Sequence, residues 1–392
     1  MDNDEEKLFR VETRTWLEEN CPASMRTPMP EEERVWGGRN PEFKNPDAKI
    51  WLERMVQRGW TVPSWPKKYG GGGLDQAEAR IVDEEMRRLN CRAPLFSFGI
   101  WMLGPVLLEL ASEAQRLEYL PRIARGEIRW CQGYSEPGAG SDLAALQTKA
   151  EDRGDHYLVN GQKIWTSYAN QADWIFCLVR TETSLKHGGI SFLLFDMSSP
   201  GVETRPIKLI SGSSVFCETF FTDVKVPKGN LVGEVNGGWQ IAKALLSHER
   251  QAISQMGARG AGRLPSTEDM VRGYLDTPTG EIQDREKRAA LASLLMDDEA
   301  FAYTCSRTAA EKNGAALASM LKYYGTEQNK RKFELLMKCA GTDGLGWEGE
   351  EFVDDDLELC RHWLRSKGNS IEGGTSEVQL NVIAKRVLGL PD

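Results

Sequence analysis

The spacing of apolar positions divides the chain into three stretches of different texture. From the start to about residue 126, apolar residues recur with a helical period. In "DEEKLFRVETRTWLEENC" the positions Leu8, Phe9, Val11, Thr15, Trp16 and Leu17 fall close to a 3.6-residue repeat, and "DAKIWLERMVQRGW", "DQAEARIVDEEMRRLN" and "FGIWMLGPVLLELASEAQRLEYLPRIARGE" continue it. Between them "VPSWPKKYGGGGL" joins two prolines to four consecutive glycines, which a loop accommodates. Near Ile128 the pattern changes to short runs rich in Val, Ile, Phe, Tyr and Trp, broken by Gly, Asn, Asp or Pro. These predict a β domain. Its connections are too short for crossover helices, so mostly antiparallel strands in a barrel or sandwich are expected. Asn160-Gly161, between two strand-like runs, predicts a hairpin turn.

From about Gly237 the helical period returns in "GGWQIAKALLSHERQAISQMG", "REKRAALASLLMDDEAFAYTCSRTAAEKNG", "LASMLKYYGTEQNKRKFELLMKCAG" and a closing helix. "GRLPSTEDMVRGYLDTPTGEIQD" and "GWEGEEFVDDDLE" read as a linker and an exposed loop. The expectation is an α+β multidomain chain: an N-terminal helical domain (1–126), a middle, mostly antiparallel β-barrel or sandwich domain (127–234) and a C-terminal helical bundle (235–392).

Composition narrows the partners. With 392 residues, 40% of them hydrophobic, the chain can bury a large core. A net charge of −9 disfavours nucleic acid or an anionic membrane as the main partner. Eight scattered cysteines without a CxxC pair, after the polar start "MDNDEEKLFR", fit reduced thiols in a cytoplasm. None of the four histidines stands within metal-ligand spacing of another or of a Cys pair, so no metal site is expected.

Candidate chemistry begins in "CQGYSEPGAGSDLAALQTKA", where a loop after a strand carries two glycines and two hydroxyls that let a flat ligand or a phosphate approach the backbone. It is not a dinucleotide fingerprint, since Leu143 holds the third glycine's place and no βαβ unit surrounds it. About twenty residues on, Trp165 and Ser167 end a strand with an indole face and a hydroxyl. Each feature alone has a plain explanation, a tight turn and a core tryptophan. Together they suit an isoalloxazine ring. Near the end, "SIEGGTSEVQLNVIAKRVLGLP" runs from a turn into a helix, with Ser376-x-x-Gln379 as a capping box and Val378, Val382, Ile383 and Val387 as an apolar stripe.

"YSEPGAGSDLAALQTKAE", "YLVNGQKIWTS", "FFTDVKVPKGNLVGE" and "SIEGGTSEVQLNVIAKRVLGLP", in this order and at these separations, resemble the acyl-CoA dehydrogenase family over nearly the whole chain. The resemblance implies FAD held between the β domain and the C-terminal helices, an acyl-CoA substrate dehydrogenated at Cα and Cβ to a trans-2-enoyl-CoA, and electrons passed to an electron-transfer flavoprotein. It implies a flavin-holding set of Gln132, Tyr134, Ser135, Gly140, Ser141, Trp165 and Ser167. Gly374, Thr375 and Glu377 would sit near the phosphates and ribose, beside a helix start that favours pyrophosphate.

The catalytic base is where the sequence departs. Many members carry a Glu directly before Gly-Thr; here that position is Gly373, and Glu372 lies one residue earlier. A one-residue displacement re-aims a side chain, so Glu372 is the fallback. A second subset places the base before an Arg on the first long C-terminal helix, which in "LLSHERQAIS" is Glu249 with Arg250 as its partner; His248 is a packing or solvent-side residue. The Arg-x-x-Phe-Gly segment that reaches a neighbouring subunit's FAD is missing from "GAGRLPSTEDMVRGYLDTPTGE", and Lys338 stands where a Gln often does. These departures resemble the large-subunit branch acting on carboxylated or ring-bearing acyl-CoAs, which implies an α2β2 assembly with a smaller chain; a homodimer or homotetramer is the simpler alternative. Two further readings stay open: a non-catalytic subunit, and oxidase or desulfinase chemistry in the same pocket.

Overall fold

A computed structural model describes residues 3–258, 266–310 and 314–391, and it resolves the chain into two compact units. The first comprises 1–206 and 216–245, the second 207–215 and 246–392. Among the described residues no helix is long and apolar enough to cross a membrane.

The first unit opens with helices α1 (Asp4–Asn20), α2 (Pro46–Arg58), α3 (Gln76–Arg88), α4 (Gly104–Leu110) and α5 (Glu113–Ala124). Helices α1 and α3 start with capping boxes, Asn3 with Glu6 and Asp75 with Glu78. The face that α1 buries is narrower than the apolar spacing implied: Thr13 and Leu17 are buried and Phe9 and Trp16 pack beside them, whereas Leu8 and Val11 are exposed. The reason is polar. Arg10 and Arg14 reach across to Glu84 and to the buried Glu85 of α3, at 2.7 to 3.1 Å, and this rotates α1 onto its Arg side.

The strands are β1 (Trp130–Gly133), β2 (Lys149–Asp152), β3 (His156–Ser167), β4 (Trp174–Arg180), β5 (Ile190–Asp196), β6 (Val202–Ile207), β7 (Phe216–Pro227) and β8 (Leu231–Val232). They form one sheet in the order β6-β7-β3-β2-β4-β5-β8, with β1 beside β4. The sheet is mixed. Most pairs are antiparallel, but β1 and β2 both run parallel to β4. No crossover helix is needed, because β2 and β3 themselves make the connection between the parallel strands.

The predicted hairpin at Asn160-Gly161 is absent: β3 runs straight through both residues, and the β2–β3 turn lies at Gly154 (φ 89°), where the Arg153 N–H donates to the His156 carbonyl. Asn160-Gly161 is instead a bulge in the β3–β7 ladder. Asn160 exchanges two hydrogen bonds with Asp223, and Gly161 takes φ 150° with its α-carbon against Thr148. The same dipeptide that favours a turn thus serves as a kink, since long-range pairing with β7 overrides the local preference.

Helix α6 (Gly238–Ala258) begins in the first unit, where Asn236 bonds Ser191 of β5 and Thr181, and continues into the second. There follow α7 (Thr267–Tyr274), α8 (Arg285–Ala310), α9 (Gly314–Ala340), α10 (Asp354–Ser366) and α11 (Ser376–Val382). Both segments expected as irregular hold helices. Helix α7 lies in the expected linker and buries Val271. Helix α10 begins inside the acidic run, where Asp354, Asp355 and Asp356 occupy its first turn and complement the helix dipole. The core of the second unit joins Val271, Leu291, Leu294, Phe333, Leu336 and Leu359.

Candidate functional site

In the first unit the structure brings the end of β1 against the end of β3. The Ile164 N–H donates to the Ser135 carbonyl at 2.9 Å, and the Lys163 ammonium donates to the Tyr134 carbonyl at 3.1 Å. Tyr134 is buried, Gln132, Ser135 and Ser167 are half-buried, and Ser141 is exposed on the loop beyond. Trp165 is 52% exposed and has φ 60°, a left-handed backbone that costs a bulky residue about 1–3 kcal/mol. The strain has a visible source. The β3–β7 register slips between Lys163 and Thr166, so the strand carries an extra residue and turns the indole outward, edge-on to Phe216 at 6.0 Å. Tyr168 continues the irregularity at φ 53°.

The loop between Ser135 and Thr148 is held at its base by a buried ion pair. Lys163 is fully buried, and its ammonium lies 2.7 Å from the Glu136 carboxylate, which also accepts from the Gln147 N–H (2.6 Å) and the Thr148 N–H (2.9 Å). Burial pushes the Glu136 carboxyl up, but the Lys163 charge and these hydrogen bonds outweigh it and hold it below the usual carboxylate range. At the far end, the Arg180 guanidinium donates to the carbonyls of Ala144, Leu146, Leu185 and Lys186. Between these anchors, a Cβ at Gly138 or Gly140 would meet nothing of the chain within 4 Å, and neither glycine has a left-handed φ. The chain's own packing therefore does not call for glycine there.

In the second unit, α9 organises the turn before α11. The buried Lys322 donates to the Asn369 carbonyl (3.0 Å) and the Gly374 carbonyl (2.7 Å), and Glu327 accepts from Ser370 and Ser376. Burial lowers the Lys322 ammonium, opposed by the charges of Glu372, Glu327 and Glu377. Gly373 and Gly374 both take left-handed φ, at 64° and 95°. The cap of α11 is Thr375, whose hydroxyl accepts from the Val378 N–H, one residue before the expected Ser376. Ser376 and Gln379 are spent elsewhere, on Glu327 and on the Gly373 carbonyl, and are the buried positions of this short helix. The stripe of Val378, Val382, Ile383 and Val387 is half-buried to exposed rather than core. Glu377 is exposed, and its carboxyl is held low by its own backbone N–H and the Thr375 hydroxyl.

Glu372 does not project freely from the turn. Its carboxylate is gripped by Arg365 at 2.7 Å and by the Asn369 amide at 2.6 Å. Glu249 is half-buried on α6. The Arg250 side chain, and residues 260–265 of the segment that would carry the cross-subunit contact, lie outside the described residues. Sequence reasoning named the loop and the two strand ends but passed over Lys163, Glu136, Lys322 and Glu327. The available signal was a lysine at an inward strand position, and four polar α9 residues at Lys322, Thr326, Asn329 and Lys330 on one helical face.

Comparison with known proteins covers nearly the whole chain. Family models for the acyl-CoA dehydrogenase N-terminal, middle and C-terminal domains match residues 3–127, 131–224 and 236–388. The acyl-CoA dehydrogenase IpdE1 of Mycobacterium tuberculosis is 36% identical over 387 residues, covering 98% of this chain and 97% of the relative. Among solved structures, the Tcur3481-Tcur3483 steroid ACAD superposes with a TM-score of 0.76 at 29% identity, covering 100% of this chain and 99% of that one. The ChsE4-ChsE5 complex from Mycobacterium tuberculosis matches at a TM-score of 0.74 and 30% identity, over 100% and 99% of the two chains.

Proposed function

The chain belongs to the acyl-CoA dehydrogenase family, and from that premise we propose that it binds FAD and converts an acyl-CoA to a trans-2-enoyl-CoA, with an electron-transfer flavoprotein as acceptor. As a family member it is an oxidoreductase acting on a CH–CH bond. The observation that carries the cofactor assignment is Trp165, an exposed indole kept on a strained backbone beside the pinned Tyr134–Ser135 segment. Strain of this kind persists where the surroundings over-determine it, and here it presents a flat aromatic face. The residues fit the group: an open loop at Gly138 and Gly140, hydroxyls at Ser135, Ser141 and Ser167, and the polar Gln132.

When bound, the flavin supplies the two-electron acceptor for the hydrogen leaving Cβ. The chain supplies the rest. Tyr134, Ser135, Gly140, Ser141, Trp165 and Ser167 orient the ring, while Gly374, Thr375 and Glu377 serve the phosphate and ribose end. Glu249 takes the Cα proton as the base, and Arg250 supports its charge. The Cα–H electron pair then becomes the new double bond. Glu249 is half-buried on α6, as a carboxylate that reaches a substrate out of bulk water needs to be. Glu372 is the weaker choice because its carboxylate already accepts hydrogen bonds from Arg365 and Asn369.

The purified chain is expected to be yellow and to bleach anaerobically with a suitable acyl-CoA. Glu249→Gln is expected to slow bleaching by roughly 10²–10⁴-fold, the usual worth of a general base. Bleaching at the wild-type rate in that variant removes Glu249 as base, and the same loss in Glu372→Gln instead moves the base to the turn.

The two solved relatives with paired names support a second element of the reading, an α2β2 assembly with a smaller acyl-CoA dehydrogenase chain acting on a steroid-derived acyl-CoA. Light scattering of the chain alone and with such a partner tests it. A colourless chain that gains FAD only in the complex identifies a subunit that needs its partner for turnover. A yellow homodimer or homotetramer that bleaches unaided removes the hetero-oligomer.

A further inference from the structure

Lys163 sits where an apolar residue would pack. It is fully buried on β3, and burying an ammonium costs several kcal/mol even when it is paired. Replacing such a pair by apolar side chains often leaves a fold equally stable, so stability alone does not account for it. Its contacts indicate another use. The ammonium binds the Glu136 carboxylate and the Tyr134 carbonyl, and Glu136 in turn holds the N–H groups of Gln147 and Thr148. Three segments, the end of β1, the approach to β2 and the middle of β3, are tied at one charge.

The consequence lies in the Tyr134–Ser135 peptide. None of the described peptide bonds is cis, and in a trans unit the C=O and the following N–H point in opposite directions. Fixing the Tyr134 carbonyl on the buried ammonium therefore turns the Ser135 N–H away from it. The next carbonyl, that of Ser135, is fixed on the Ile164 N–H. Two successive carbonyls are thus pinned to β3, and among the described residues no acceptor meets the N–H between them. Ser135 itself is half-buried, at the mouth of the loop that carries Gly138 and Gly140.

We infer that Lys163, through its pair with Glu136, is a positioning residue that presents the Ser135 N–H as a hydrogen-bond donor to the bound flavin. The inference rests on the flavin-binding reading above. It ranks the two members of the pair. Lys163 acts on the peptide directly, whereas Glu136 acts through Lys163 and through the loop base.

The test measures FAD dissociation constants and visible spectra for the purified chain, with cooperative thermal unfolding as the check of folding. Lys163→Met is expected to weaken FAD binding by roughly 10- to 100-fold, the worth of a hydrogen bond set by a charged group, and to shift the flavin band. Glu136→Gln keeps the Tyr134 contact and is expected to weaken binding by less than about threefold, the scale of one neutral hydrogen bond or below. The double variant Glu136→Gln/Lys163→Met leaves no lone buried charge, and it is expected to unfold cooperatively yet show the Lys163→Met loss. A folded variant lacking the lysine that binds FAD within twofold of wild type, with an unchanged spectrum, overturns the role. A second measurement needs no variant: hydrogen–deuterium exchange at the Ser135 amide is expected to slow on FAD loading, and unchanged exchange also overturns it. Failure of the wild-type chain to bind FAD at all would instead overturn the functional reading on which this one stands.

Discussion

Replacing Gly161 by alanine probes the bulge that the Asn-Gly dipeptide conceals. A Cβ at this position would lie 2.6 Å from the Thr148 α-carbon, 2.7 Å from its Oγ1 and 2.9 Å from its Cβ. Backbone cannot rotate out of the way as a side-chain end can. The φ of 150° adds a second cost, since L residues hardly visit it. Overpacking contributes about 1–3 kcal/mol and the backbone conformation about 1–3 kcal/mol. Their sum, about 2–6 kcal/mol, corresponds to a fall of roughly 5–20 °C in Tm for a unit of this size. The damage reaches the site, because the Thr148 N–H is one of the donors holding Glu136. Gly154→Ala is the control: its φ is 89°, but a Cβ there meets nothing within 4 Å, so only the conformational part, about 1–3 kcal/mol, applies. Thermal unfolding followed by circular dichroism separates the two. A Gly161→Ala Tm within 2 °C of wild type, or equal to that of Gly154→Ala, would refute the steric argument.

Lys322→Met removes the donor to two main-chain carbonyls, Asn369 and Gly374, and is expected to cost the second unit about 2–5 kcal/mol with weakened FAD retention; urea unfolding checks it, and an unchanged midpoint contradicts it. The depressed Glu136 carboxyl sets a pH dependence: its stabilisation is fully present above the unfolded value of about 4.3 and is lost as pH falls through the lower folded value. Wild-type Tm should accordingly drop more steeply than that of Glu136→Gln between pH 5 and 3, and parallel curves would sink the assignment. Burial pushes the Cys177 thiol up to about 12 and raises those of Cys131 and Cys217 as well. Mass mapping after alkylation of the native chain at pH 8 should find all three unmodified until denaturant is added.

The three textures of the chain were legible because long amphipathic helices and β-branched strands carry their own period. What failed was local chemistry that distant partners redirect. The Asn160-Gly161 turn signal was overridden by pairing with β7 and by the Asn160–Asp223 exchange. Leu8 and Val11 fit the helical period but lost the inner face to Arg10 and Arg14, whose partners on α3 lie about seventy residues away. The acidic run at Asp354 looked like a solvated loop because three aspartates have low helix propensity, yet in a first turn they are favourable. The Ser376 box was misplaced by one residue because its hydroxyl had a stronger claim from Glu327.

Two residues that no sequence motif marks share one physical form. Lys163 and Lys322 are both buried, and each donates to a main-chain carbonyl at the base of a segment proposed to bind the cofactor. Lysines are commonly read as surface residues, because the cost of burying an ammonium excludes them from cores unless something compensates. Compensation here comes from carbonyls and a carboxylate contributed by other segments, which no window of sequence contains. A hydrophobic residue in either place would pack as well but would leave the peptide plane free to turn. An ammonium specifies direction, since it binds a carbonyl oxygen and thereby aims the N–H of the same peptide. Helix α9 displays the division of labour within one element: its C-terminal half packs Phe333, Leu336 and Cys339 into the core, while Lys322 and Glu327 in the preceding turns are devoted to orienting the Gly373–Gly374 turn. Each of these two ammoniums therefore fixes the backbone of a segment proposed above to hold the cofactor, Tyr134–Ser135 in the first unit and Gly373–Gly374 in the second.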